Sequence, residues 1–267
     1  MRLLALWVYP VKSLGGVALP SARLDPTGLA HDRRWMLVDD AGRFITQRAF
    51  PALATVSVAL GDDGLRLTHP RMTEALPVPW EPTAGAVGRR VTVWDDTVEA
   101  LEAQPAARGW LREAVGVDGT LVWMPPSTVR AVDPAYGRAG DRVGFADGFP
   151  LLVTTEASLA GLNARLPEPV SMTRFRPNLV LDGAEADAED GWKTLRVGEV
   201  EFRVAKPCGR CTMVDVDPVL GTAGRGVLST LGGYRTQGRR VVFGQNLAMD
   251  AVWVGATLRV GDAAVAG

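Results

Sequence analysis

The chain has 267 residues, 47% of them hydrophobic and 22% charged, with a formal net charge of −1. That is enough apolar material for one large globular domain or two small ones. The balanced charge supplies no basic field for nucleic acid or for an anionic membrane surface, so neither is expected as a partner.

The opening run, residues 3–9, is apolar and stops at Pro10. It is too short for a spanning helix and has no small-residue cleavage site, so it reads as a first strand in a cytoplasmic protein. Residues 34–38 and 43–47 flank Asp39-Asp40-Ala41-Gly42, residues 55–60 and 65–68 flank Gly61-Asp62-Asp63-Gly64, and residues 90–94 and 97–101 flank Asp95-Asp96. Each reads as a hairpin. Ala106, Ala107, Trp110, Leu111, Ala114 and Val115 recur at helical spacing and stop before Gly116, which predicts a helix. Trp123-Met124-Pro125-Pro126-Ser127 reads as a crossing, dividing the chain into residues 1–124 and 125–267. A second helix is predicted where Leu159, Leu162 and Leu166 follow Thr155 as N-cap and Glu156 in the first turn. Further strands are expected over residues 178–181, 194–197, 200–204, 212–216, 251–254 and 257–260. So many short strands with regular turns predict a mainly β (α+β) fold of barrel or sandwich type with a few helices.

Only two cysteines occur, Cys208 and Cys211, in Lys206-Pro207-Cys208-Gly209-Arg210-Cys211-Thr212. A structural zinc site needs four ligands, and the only histidines, His31 and His69, lie far upstream without paired spacing. A thioredoxin-type pair needs its first cysteine at a helix N-terminus, whereas a strand is expected after this loop. Simple packing is a further alternative. Pro207, Gly209 and Arg210 argue for a loop instead, and the charges of Lys206 and Arg210 favour a thiolate. A single thiolate on a soft metal whose other ligands come from a cofactor stays open. His31 is expected as a loop residue, one of Arg33 and Arg34 in a surface ion pair, and the tryptophans in the core.

Four other stretches stand in order with this loop: Tyr9-Pro10-Val11-Lys12-Ser13, His31-Asp32-Arg33-Arg34-Trp35, Arg174-Phe175-Arg176-Pro177-Asn178 and Phe243-Gly244-Gln245-Asn246. Together they make the chain similar to the MOSC family, in the two-part form with an N-terminal β-barrel segment followed by a MOSC β-barrel domain. The resemblance implies a molybdenum cofactor, a molybdopterin that holds Mo, with Cys211 as the metal ligand and catalytic centre. It carries cofactor contacts over to Lys12, Ser13, Arg33, Asp147, Arg176, Asn178, Gly209, Arg210 and Asn246, and leaves Cys208 as a neighbour. Pyridoxal phosphate binding is a further association of the family. Chemically, Lys12 offers a point charge, Ser13 a hydroxyl, and Arg33 and Arg176 bidentate forks for a buried phosphate. The implied activity is reduction of small N-hydroxylated compounds (hydroxylaminopurines, hydroxylamines, amidoximes). With no further cysteines for a cluster, electrons are expected from a separate ferredoxin or flavin reductase. A carrier of the cofactor or of its sulfur is the alternative.

Overall fold

A computed structural model describes residues 1–267. The fold is mainly β, with nineteen strands and three α-helices. Its largest sheet has nine strands. Along it run Ala264–Ala266, Thr194–Val197, Val200–Gly209, Arg240–Met249, Leu151–Thr155, Leu179–Asp182, Arg2–Val8 and Val17–Leu19, with Thr236–Gln237 pairing to the side. The N-terminal strand Arg2–Val8 therefore completes a sheet built mostly from the second half of the chain. It runs antiparallel to Leu179–Asp182, with Arg2 opposite Asp182 and Leu6 opposite Leu179.

Two smaller sheets come from the first half. Trp35–Val38, Thr120–Trp123, Asp96–Glu102 and Gly88–Val93 form one, and Ser57–Leu60, Gly64–Thr68 and Leu76–Pro79 another. A register irregularity between Leu3 and Ala5 breaks the simple alternation of Arg2–Val8, so that Leu3, Leu6 and Val8 all enter a core shared with Val153, Leu181, Phe202 and Leu247. A second core collects Trp35, Leu37, Leu65, Leu67 and Trp123 beneath the helix Ala106–Val115, which contributes Trp110 and Leu111. Each Leu-sized side chain so buried contributes roughly 1.5–3 kcal/mol. That helix ends on Gly116 at φ 71°, the left-handed stop expected of glycine. The helix Glu156–Asn163 begins as predicted: the Thr155 hydroxyl accepts from the Ser158 amide. No helix is long and apolar enough to cross a membrane.

Several expected strands differ. Residues 43–47 make only isolated bridges, Phe44 to Val38 and Arg43 to Thr92. Thr55 closes a 3-10 turn, Pro51–Thr55, ahead of the strand Ser57–Leu60. Residues 251–254 contain a 3-10 turn, and Thr257–Arg259 pairs with Ser21–Asp25 rather than closing a hairpin. Two differences touch the cysteines. The strand expected to stop at 204 runs on to Gly209 and carries Cys208 at its end. The strand expected over 212–216 is a 3-10 turn, Thr212–Asp215, with Cys211 at its N-cap. Its alternating valines suggested extension, but the Asp215 carboxylate accepts from the Leu228 amide and Asp217 accepts from Val219 and Leu220. Local side chain-to-backbone bonds win over the ladder there.

Candidate functional site

The ends of five strands meet around one cleft. Residues 9–14 leave Arg2–Val8, Asp32 and Arg33 precede Trp35–Val38, and residues 144–149 precede Leu151–Thr155. Phe175 to Asn178 precede Leu179–Asp182, and the cysteines close Val200–Gly209. The cleft encloses about 730 Å³ of empty space, part of it open to solvent. Nine of the ten residues expected at a site line it: Lys12, Ser13, Arg33, Asp147, Arg176, Asn178, Arg210, Cys211 and Asn246. Gly209 does not. A Cβ added to it would meet only the Arg240 side chain at 3.6 Å, so no neighbouring protein atom requires glycine there. Cys208, expected as a bystander, lines the cleft in its place.

The lining carries five cations, Lys12, Arg33, Arg48, Arg176 and Arg210, against one carboxylate, Asp147. The buried Lys12 ammonium donates to the Phe145 carbonyl (2.8 Å) and to Asp147 Oδ1 (2.6 Å), and the Trp94 indole donates to the same oxygen (3.1 Å). Burial pushes the Lys12 pKa down while Asp147 holds it up. Partial desolvation at the cleft works to raise the Asp147 pKa. The Lys12 charge, its hydrogen bond and the Trp94 donor outweigh that and hold the carboxyl below the usual range. Lys12 is the lone lysine of the lining, and its ammonium bonds to two protein oxygens.

Arg33 is the residue of its pair that takes an ion pair, with Asp32 at 2.5 Å; the pair is buried rather than at the surface. Its guanidinium also donates to Asn178 Oδ1 (3.1 Å) and to the Arg176 carbonyl (2.9 Å). Arg176 donates to the Leu14 carbonyl (2.7 Å), but its buried Nη2 has no hydrogen-bond partner. Burial, with repulsion from Arg33, pushes Arg176 down to about 10, so it stays cationic at neutral pH. Both guanidiniums flank the buried Tyr9 ring, at 4.4 and 4.2 Å from its centroid. Burial pushes the Tyr9 phenol up to about 12.

Three of the residues expected as contacts also anchor their surroundings. Asn178 spends its amide on the Trp7 carbonyl, the Leu152 amide and Arg33. Arg210 clamps the Phe243 and Phe175 carbonyls, and Asn246 donates to the carbonyls of Lys206 and Pro207. These residues position Arg33 and the cysteine strand. Cys211 is exposed, and Cys208 is half-buried with its thiol pKa pushed up by burial.

Sequence reasoning missed Thr46, Arg48, Trp94 and Met213 in the lining. It also missed Arg130 behind it, which pairs with Asp96 (2.6 Å) and donates to the carbonyls of Gly144, Ala146 and Asp147. One backbone signal unites the site. Six non-glycine residues adopt left-handed φ, and four of them, Ser13, Arg33, Trp94 and Arg176, line the cleft. Such backbone costs of order 1 kcal/mol or more per residue and clusters at functional sites.

Comparison with known proteins identifies the families along the chain. The model of the MOSC N-terminal beta barrel domain matches residues 1–118, and that of the MOSC domain matches residues 140–265. Mitochondrial amidoxime-reducing component 1 of Mus musculus is 32% identical over 96% of this chain and 79% of its own length. Its Homo sapiens counterpart is 31% identical over 96% and 80%. Molybdenum cofactor sulfurase of Oryza sativa is 28% identical over 96% of this chain, which spans a third (33%) of that protein.

Proposed function

This chain belongs to the MOSC domain family, and from that membership we propose that it is a molybdenum-cofactor-dependent reductase of N-hydroxylated compounds, amidoximes among them. The observation that carries the reading is the cleft itself, where five cations face one carboxylate and an exposed thiol stands on the rim.

The residues fit a phosphate-bearing pterin. The buried, unpartnered Nη2 of Arg176 is a donor awaiting an acceptor, because leaving such a group unmatched costs about 1–3 kcal/mol. Arg176 and Arg33 would take anionic oxygens as forks, Lys12 as a point charge and Ser13 as a hydroxyl donor. Cys211 would supply the protein's thiolate to the metal, while Arg210, Asn178 and Asn246 hold the surrounding backbone. When bound, the cofactor supplies the two-electron chemistry that removes oxygen from an N–O group. The chain's own residues bind and orient it, and the Lys12–Asp147 pair keeps the rim charged at neutral pH. Electrons come from a separate ferredoxin or flavin reductase. The match to a molybdenum cofactor sulfurase favours a second reading, a carrier of the cofactor or its sulfur that uses the same cleft.

Expression in a host able to make the cofactor, followed by metal analysis and an amidoxime reduction assay with a chemical reductant, separates these. Molybdenum near one per chain with turnover supports the reductase. Molybdenum without turnover supports the carrier, and protein that never takes up molybdenum rejects both.

A further inference from the structure

The His31-Asp32-Arg33-Arg34-Trp35 stretch is only partly absorbed by the cleft above. Arg33 lines that cleft, whereas His31, Arg34 and Trp35 line a second one. The second spans about 1030 Å³ of empty space, open solvent included, and draws its wall from both halves of the chain, Arg142 among the lining residues. Clefts between packed units are favoured ligand sites.

Its chemistry is mixed in a specific way. His31 holds φ 68°, unusual for a non-glycine residue, and its ring stacks on Trp80 at 3.9 Å and 27°. The Arg34 guanidinium lies 5.7 Å over the Trp123 ring and donates to the Met124 carbonyl. Burial lowers the Arg34 pKa against the pull of Asp25 and Glu81. Those two carboxylates line the cleft; Asp25 pairs with Arg23, also in the lining, at 3.0 Å, while neither Arg34 nor Arg142 has an ion pair. The cleft thus offers an aromatic wall, two guanidiniums without an ion pair, the Arg23–Asp25 pair and the Glu81 carboxylate. A bare anion would leave the aromatic wall unused, and a neutral aromatic would leave the guanidiniums unmatched. A ligand that joins a planar ring, hydroxyl donors and an anionic group satisfies the wall, the carboxylates and the guanidiniums.

We propose that this second cleft binds a nucleoside monophosphate, with the base against Trp80 and His31, the phosphate between Arg34 and Arg142, and the ribose hydroxyls toward Asp25 and Glu81. Guanidinium forks suit phosphate oxygens, and aromatic faces accept any base. The proposal stands apart from the reductase reading and needs no molybdenum.

The test is calorimetric titration of the full chain with AMP, adenosine and inorganic phosphate. AMP is expected to bind, with adenosine and phosphate each at least about tenfold weaker. Arg142→Met and His31→Asn are each expected to weaken AMP about tenfold, and Arg176→Met in the first cleft to leave it unchanged. Arg142 has no side-chain bond to lose and asparagine tolerates left-handed backbone, so at least one variant should fold; circular dichroism checks both. Absence of AMP binding, equal affinity for adenosine, or loss of binding in Arg176→Met with retention in Arg142→Met each overturns the proposal.

Discussion

Lys12 and Asp147, 135 residues apart in sequence, form a 2.6 Å ion pair at the rim of the first cleft. The two ends are unlike. Lys12 keeps 8% of its side-chain surface exposed and Asp147 keeps 66%, so a buried cation is tethered to a carboxylate that meets solvent. The pair joins the segment after the first strand to the loop before Leu151–Thr155, and so holds the two halves of the cleft together.

Asp147→Ala leaves Lys12 with the Phe145 carbonyl alone. The expected loss is roughly 1–2 kcal/mol at pH 7, the low end for bonds to charged groups because Asp147 is largely exposed. The folded Asp147 pKa lies below its unfolded value, so the pair's contribution is complete above about pH 4 and declines as pH falls through the depressed value. Urea unfolding of wild type and variant should therefore differ at pH 7 and converge toward pH 2. A constant difference across that range counts against the ion pair as the cause.

Arg130→Met removes the donors that hold the carbonyls of Gly144, Ala146 and Asp147. Amide hydrogen exchange at residues 144–147 should quicken at least tenfold while Trp35–Val38 stays protected. Arg130→Lys should recover only part of the protection, because one ammonium nitrogen cannot span the acceptors that Nε, Nη1 and Nη2 of the guanidinium reach together.

Gly244 sits at φ 72° inside the strand Arg240–Met249, and an added Cβ would lie 2.6 Å from the Val153 carbonyl oxygen. Gly244→Ala is expected to cost roughly 2–4 kcal/mol, the left-handed penalty of about 1–2 kcal/mol plus a backbone shift. Thermal unfolding measures it, and an unchanged midpoint would show that the strand relaxes freely.

The two thiols should be chemically unequal. Cys211 is exposed, whereas Cys208 is half-buried and its thiol is pushed up by burial. At pH 8, iodoacetamide should alkylate Cys211 several-fold faster, as read by peptide mass spectrometry. Equal rates would remove the structural distinction between them.

For the loaded enzyme, Cys211→Ala is expected to lower amidoxime turnover by at least about a hundredfold, and Cys208→Ala by less than about tenfold. Molybdenum analysis of both variants separates loss of the metal from loss of chemistry. A fully active Cys211→Ala protein with its metal retained would dismiss Cys211 as the ligand.

Sequence legibility followed the range of the forces involved. The helix Ala106–Val115, its Gly116 stop and the Thr155 cap were legible because their signals are local: periodicity, one glycine, one hydroxyl. The turn Thr212–Asp215 was not, because its valines mimic a strand while the deciding bonds run from Asp215 and Asp217 to amides further along. At the site, the five ordered stretches supply eight of the nine expected residues that line one cleft, with Asp147 from outside them, but the resemblance could not say which of them face it with free donors. Asn178, Arg210 and Asn246 also hold neighbouring backbone. Arg48, Trp94 and Arg130 left no trace because each is a lone residue with no spacing rule, brought in by tertiary packing. The eight tryptophans were expected in the core, yet Trp94 is exposed on the first cleft and Trp80 lines the second.

The placement of Arg2–Val8 bears on how the chain is made. Its Arg2 pairs with Asp182, 180 residues later, so during synthesis the first strand leaves the ribosome long before its principal neighbour exists. At about 5–20 residues per second, an apolar strand waits on the order of ten seconds or more with one edge unsealed. The nine-stranded sheet closes only when the second half arrives. A nascent chain stalled before residue 179 should thus be a client for chaperones, and truncation in the second half should cost solubility even where the first half is intact.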